Sequence, residues 1–299
     1  MALAYPFLME GILALSALHL ASYQPHRAVE LSALALASEQ TALPSYRQLV
    51  ANFDPNNENI HAIFAFSTFV VPYMLAVAGS FEGGIGQIPR LGEPHWFHAI
   101  RGWAALLKKN WQVIYDGPFR PVMGQTPEKI ENAFNPEDAH LARLHEMLIP
   151  TSTATEKDVE DLNVCGAALD EWRRVSALPF ASSKTVTLGV SLFVWPGTVS
   201  EEFIRLIHEK RPEALVILAH YCVLLKRLGG LWFLKGAGDR LMNAIVQEVG
   251  EEWSSWMKWA TDQSSIPLDN PLYQPEEVDP PPRVSYQSPY FSGEFVDKL

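Results

Sequence analysis

A single all-helical domain over residues 1–262, closed by an extended proline-rich tail over 263–299, is the fold class this sequence predicts. Three observations carry it. Apolar residues recur at steps of three and four in segment after segment, strand-like alternation is confined to one short run, and Pro, Gly and Asn clusters punctuate the chain at helix-length intervals. With 48% hydrophobic residues in 299, a large core can be buried, and usual helix lengths give roughly eight to twelve helices.

Residues 6–23 read as the first helix, with Pro6 in its opening turn. Pro25 opens a second, within which Pro44 either kinks the helix or starts a new segment. After "DPNNEN", the run of residues 62–78, "AIFAFSTFVVPYMLAVA", predicts a buried helix. Its Ser67, Thr68 and Pro72, and its lack of basic flanks, argue against a membrane span. The opening run lacks a basic start and contains Glu10, which argues against a signal peptide. Residues 79–95 form a glycine-rich loop of a length often used for function. A helix over 96–115 places Ile100, Trp103, Leu107 and Trp111 on one face.

Residues 136–148 and the segment "EKDVEDLNVCGAALDEWRRVSAL" give two further amphipathic helices. The piece "KTVTLGVSLFVWPGTVS" is the strand-like run, read as an extended connector or a short helix ending at Pro196. Pro212 and Glu213 start a helix that Gly229 and Gly230 stop, and a last long helix is expected over 237–259.

The formal net charge of −11, with no local Lys/Arg run, argues against direct nucleic-acid binding by this chain. Two cysteines without metal spacing give neither a disulfide framework nor a zinc site, so an intracellular setting, cytoplasm or nucleus, is expected. His95 and His98 lie three apart near Glu93, but no second cluster completes a metal site, and neither metal nor cofactor is expected. Nucleophile-elbow, phosphate-loop and metalloprotease motifs are absent, and "GGIGQ" lacks the strand that a dinucleotide fingerprint requires.

Candidate site residues are therefore polar tips among aromatic walls. Phe66, Tyr73, Trp103, Trp111 and Trp232 are the candidates for lining an apolar ligand pocket, though plain core is the competing reading for each. His220 and Tyr221, adjacent in a helix, point about 100° apart. His220 is either a neutral core imidazole bonded to a backbone carbonyl or a ligand or catalytic group. Lys235 either snorkels to water or presents charge at a pocket mouth. On the catalytic reading His220, Tyr221 and Lys235 supply the donors and acceptors.

Four stretches, in order, carry a resemblance: "YPFLMEGILALSALHLA", "IFAFSTFVVPYMLAVA", "HAIRGWAALLKKNWQVIYDGPFRPVM" and the long run from "FVWPGTVSEEFIRLIHEKRPEALVILAHYCVLLKRLGGLWFLKGAG" to "WMKWA". They resemble the C-terminal regulatory domain of fungal zinc-cluster transcription factors, the group that includes the sterol uptake control regulators. The likeness spans about residues 6–259. It implies an all-helical domain enclosing an apolar pocket, with DNA contacts made by a separate six-cysteine cluster. This sequence departs from the family in lacking that cluster and in carrying Phe233 and Lys235 where the family has a second tryptophan and an acidic position.

Two functions follow as expectations. The first is a stand-alone, cofactor-free enzyme of fungal secondary metabolism. It would cyclise a terpenoid or polyketide intermediate by a pericyclic step of the hetero-Diels-Alder type, needing only shape, exclusion of water and a donor or two. The second is a ligand-sensing, sterol-like regulatory domain of a zinc-cluster transcription factor. Either takes an apolar small molecule as partner, and a homodimer is the assembly admitted.

Overall fold

The computed structural model describes residues 2–52, 59–80, 95–120, 135–180 and 188–263. The glycine-rich segment between 81 and 94 and the tail from 264 onward, both singled out in the sequence, lie outside them. Among the described residues every regular element is helical, so the all-α class stands. The helices are α1 (Pro6–Tyr23), α2 (Ala28–Ala51), α3 (Ile60–Ser80), α4 (His95–Lys109), α5 (Trp111–Tyr115), α6 (Asp138–Arg143), α7 (Glu156–Ala177), α8 (Leu188–Thr198), α9 (Glu201–His208), α10 (Pro212–Arg227), α11 (Ala237–Val249) and α12 (Ser254–Asp262). The chain folds as two compact units, one holding α1 to α5 with Leu231–Lys235, the other holding α6 to α12.

In the first unit α1 and α2 form an antiparallel hairpin whose facing positions are small. Gly11, Ala14, Ala17 and Ala21 on α1, with Ser32, Ala35, Ser38 and Ala42 on α2, are buried and let the two backbones approach. Gly11 has a second reason to lack a side chain, since a Cβ there would sit 2.8 Å from the Phe66 ring of α3. Pro44 neither ends nor divides α2: it lies on an exposed face, where water can bond the carbonyl that loses its amide partner. By length and apolarity α1 and α3 pass the test for a membrane span, but 56% of the most apolar stretch of α3 is buried within the protein. Asn110 breaks the helix expected over 96–115 into α4 and α5; its side chain donates to the Leu106 carbonyl at 2.8 Å, taking a helix-end acceptor that the ladder leaves open.

The second unit is built around α10. Every residue from Ala214 to Leu225 is buried, because α7, α8, α9, α11 and α12 all pack on this helix. That arrangement accounts for a helix apolar on all sides. α7 starts with a capping box: the Thr155 hydroxyl accepts from the Asp158 amide, and the Asp158 carboxylate accepts from the Thr155 amide. α8 is the short helix expected from the strand-like run, but it carries Pro196 inside it and ends at Thr198. Lys210, at φ 59°, terminates α9 with its amide bonded to the Ile207 carbonyl and that of Arg211 bonded to Leu206.

α10 meets α11 at a glycine contact. A Cβ on Gly238 would lie 2.6 Å from the Lys226 amide nitrogen and 2.9 Å from the Cys222 carbonyl, so only hydrogen fits there. The helix expected over 237–259 is two: Gly250, at φ 80°, ends α11, and a 3-10 turn leads into α12. This bend sets the direction of α12 and hence the position of Trp259.

Candidate functional site

A small cavity in the second unit is lined by residues of α6, α7, α8, α10 and α12. Leu141, Trp172, Phe180, Val223, Leu224 and Trp259 give it apolar walls; Glu137, Ser176, Ser191, His220 and Arg227 bring polar groups. Its volume is ≈ 20 Å³, against about 10–15 Å³ needed for one water. A cavity of this size has room for about one water.

His220 projects into this region from the most buried helix and is 1% exposed. Its Nδ1 lies 2.8 Å from the Val216 carbonyl, which can only accept, so Nδ1 carries the proton and Nε2 is left as the acceptor. His140 Nε2, 3.3 Å from that nitrogen, must therefore be the donor. Both imidazoles lie against one face of Trp259, with ring centroids 4.5 Å from it for His140 and 5.7 Å for His220. Burial pushes the His220 pKa down to about 4, against the favourable bond to Val216, and the charge on His140 lowers it further. His140 is lowered in the same direction, by burial and then by Arg143.

A pH dependence follows. The folded state holds His220 neutral down to about pH 4, whereas the unfolded chain takes up its proton near 6.5. As pH falls between those values the unfolded state binds more protons, so stability is lost there, by roughly 3 kcal/mol in all. Urea unfolding at pH 7.5 and pH 5 checks this: the midpoint should fall with pH in the wild type and fall much less in His220→Leu. An equal fall in both would place the titration elsewhere.

A buried ion pair closes another side of the cavity. Arg227, 8% exposed, makes a bidentate pair with Glu137, Nη1 to Oε2 at 3.1 Å and Nη2 to Oε1, and Nη2 also donates to Gln263 Oε1 at 3.3 Å. Glu137 is held by Asn135, whose Oδ1 accepts from the Glu137 amide at 3.0 Å and whose Nδ2 donates to Ser176 Oγ at 2.9 Å. The charges are matched, so the wall is polar without presenting a net charge.

Trp172 is the exception to this satisfaction. It belongs to an aromatic group with Trp195 and Tyr221, edge-on to each at 5.5 and 5.4 Å. The Trp195 Nε1 donates to the Ala168 carbonyl at 2.9 Å and the Tyr221 hydroxyl to Leu192 at 2.8 Å. The Trp172 Nε1, on a side chain 4% exposed, has no partner. A buried donor in that state costs about 1–3 kcal/mol.

The residues expected at the site divide between the units. His220 lines the cavity of the second, while Tyr221, its neighbour, turns to the Trp195 side, where burial raises its hydroxyl pKa well above 10. The other six lie in the first unit. Phe66 packs with Phe7 and Tyr46. Tyr73 and Trp232 share one cluster with Ala14 and Leu18, and the Tyr73 pKa rises to about 12 through burial and then the Glu39 charge. Trp103 stacks on Phe64, Trp111 stacks on Tyr115, and Lys235 is exposed at the end of the Trp232–Leu234 turn. The sequence reading passed over His140, Trp172 and Arg227, and the Glu137–Asp138 pair reads from sequence as part of a solvated face. His140 lies 80 residues from His220, and no local spacing joins them. Arg227 next to the Gly229–Gly230 stop gave only the usual signal of a helix C-terminus.

The second unit thus defines a class: a helical body wrapped around one apolar helix, with a small, electrically balanced cavity among whose lining residues Trp172 has a buried N–H without a partner. Over 281 residues the chain is 27% identical to a Zn(2)-C6 fungal-type transcription factor of Gibberella zeae, covering 88% of this chain. The resemblance to fungal zinc-cluster regulators drawn from the motifs is thereby borne out, in a sequence that carries no zinc cluster. The chain spans 55% of that relative's length. No family model matches the sequence, and no solved structure matches it.

Proposed function

We propose that this chain is the ligand-responsive regulatory module of a fungal transcription regulator of the zinc-cluster type, acting in the nucleus with DNA contacts supplied by a separate module. The observation that carries this reading is the likeness over 88% of the chain to a zinc-cluster transcription factor. Two features support it. A net charge of −11 suits a module that leaves phosphate contacts to another part of a regulator. The cavity beside His220 is lined by apolar walls and a few polar groups, and one lining residue, Trp172, has a buried N–H without a partner, features that suit a small-molecule site. A ligand that binds one conformation of such a module better than another shifts its population, and nothing further is needed for sensing.

The expectation of a natural-product cyclisation enzyme draws no support from the likeness to a transcription factor, and the regulatory reading replaces it as the leading one. The test is a fusion of residues 1–299 to a heterologous DNA-binding domain in yeast with a matching reporter. Output should change several-fold between medium with and without fungal lipid extract. Constant output under both conditions would sink the sensing role.

A further inference from the structure

We propose that His140 and His220 form a two-nitrogen site for a soft monovalent metal ion of the Cu(I) class, capped by the face of Trp259. The inference stands on side chains of the second unit alone and does not depend on the regulatory reading. Three observations select that ion.

The first is convergence. The two imidazoles come from α6 and α10, 80 residues apart, and their Nε2 atoms lie 3.3 Å from each other. Their ring centroids are 5.5 Å apart and their planes differ by 25°, so the two nitrogens face each other along the line between the rings. The Nδ1 of His220 donates to the Val216 carbonyl at 2.8 Å, which fixes that ring with its Nε2 lone pair toward His140, the way proteins hold imidazoles that bind metals. His140 becomes the second ligand by moving its proton from Nε2 to Nδ1; no proton is released and no electron moves. Two metal–nitrogen bonds of about 2.0 Å span 3.3 Å when bent near the tetrahedral angle and about 4.0 Å when straight, so insertion asks the nitrogens to part by about 0.7 Å at most.

The second is the indole. The Trp259 ring centroid is 4.5 Å from that of His140 and 5.7 Å from that of His220, with planes 25° and 4° from theirs. Together with the 5.5 Å between the imidazoles, those distances put the midpoint of the pair about 4.3 Å from the Trp259 ring centre. A cation there lies inside the range of about 6 Å over which a tryptophan face attracts positive charge.

The third is charge and ligand number. Among the described residues no group of three or more His, Cys, Asp and Glu gathers, so the four-ligand set that Zn(II) takes is not provided. The charges of Arg143 and Glu137 act on His140 in opposite senses, and the Glu137 carboxylate is already held by Arg227. Two neutral imidazoles in so apolar a setting accommodate one positive charge at far lower cost than two. Burial lowers the pKa of both rings, so at neutral pH both nitrogens are available without competition from a proton.

The experiment is an anaerobic titration of the full chain with Cu(I) against a chelating indicator, followed by tryptophan fluorescence, with X-ray absorption on the loaded protein. One equivalent should bind, with two nitrogen neighbours at about 2 Å and partial quenching of the emission. Trp259→Leu should keep both nitrogens, lose that quenching and bind roughly two- to fivefold more weakly. His140→Gln, whose amide can still donate to the His220 Nε2, should bind more than about a hundredfold more weakly, since even the outer partners of a metal ligand are worth ten- to hundredfold. A urea midpoint near that of the wild type shows that this variant is folded, and His140→Leu serves in its place if it is not. An equal concentration of Zn(II) should not displace the bound ion; displacement would overturn the two-ligand assignment. Sulfur neighbours, or unchanged affinity in the His140 variant, would move the ion to Cys or Met and overturn the site, as would a wild type that takes up no Cu(I).

Discussion

Replacing Arg227 with methionine should destabilise the second unit by about 3–5 kcal/mol, read as a large fall in the urea midpoint. Arg227 is 8% exposed, and its guanidinium carries the charge that balances the Glu137 carboxylate. Methionine fills much of the same volume, so little of the loss comes from packing. The loss comes from a carboxylate left in a medium too apolar to solvate it. The same logic predicts recovery. In the double variant Glu137→Leu/Arg227→Met neither charge remains, and most of the lost stability should return, because two matched apolar side chains replace a pair whose desolvation largely offsets its attraction. If the double variant were no better than the single, the effect would belong to side-chain shape or to the Gln263 bond rather than to charge.

Trp195→Ala should cost a similar amount, about 3–5 kcal/mol. The ring is 0% exposed, stacks on Tyr221 at 4.8 Å and stands edge-on to Trp172 and Phe203 at 5.5 and 5.8 Å. Its removal empties the junction of α7, α8, α9 and α10 and leaves the Ala168 carbonyl without its indole donor. Val29→Ala, at a side chain 84% exposed in the first unit, is the control and should change stability by less than about 0.5 kcal/mol. Comparable losses in both would mean that the Trp195 cluster contributes far less than its burial indicates.

Much of the helical framework was legible along the chain because its signals are local. Pro6 and the Gln24–Pro25 pair bound α1 at the residues expected, and Pro212 and the Gly229–Gly230 stop bound α10 almost as closely. The misreadings arose where a local signal has two outcomes. Pro44 and Pro196 break helices in water but are tolerated inside α2 and α8, since the cost is one lost backbone bond when the freed carbonyl finds another partner. Gly250 looked like one more residue in a long helix, yet its positive φ turns the chain and creates α12.

The site was less legible. His220 was singled out as a polar residue in an apolar helix, and it does line the cavity. Its bond to the Val216 carbonyl, four residues back on the same helix, is the partner named for a core imidazole. His140, Trp172 and Glu137 could not be joined to it by spacing, because they stand on helices that share no periodicity with α10.

By itself the sequence determined the all-helical class, most helix limits, the absence of zinc-cluster cysteines and the likeness to zinc-cluster regulators, since each depends on residue type and near-neighbour order. Only the tertiary structure decided which indole lacks a partner, which arginine is neutralised and how small the cavity is. Those properties depend on how far a polar atom lies from atoms brought near it by other helices, and burial makes that distance decisive: the same unpaired N–H would cost almost nothing in water.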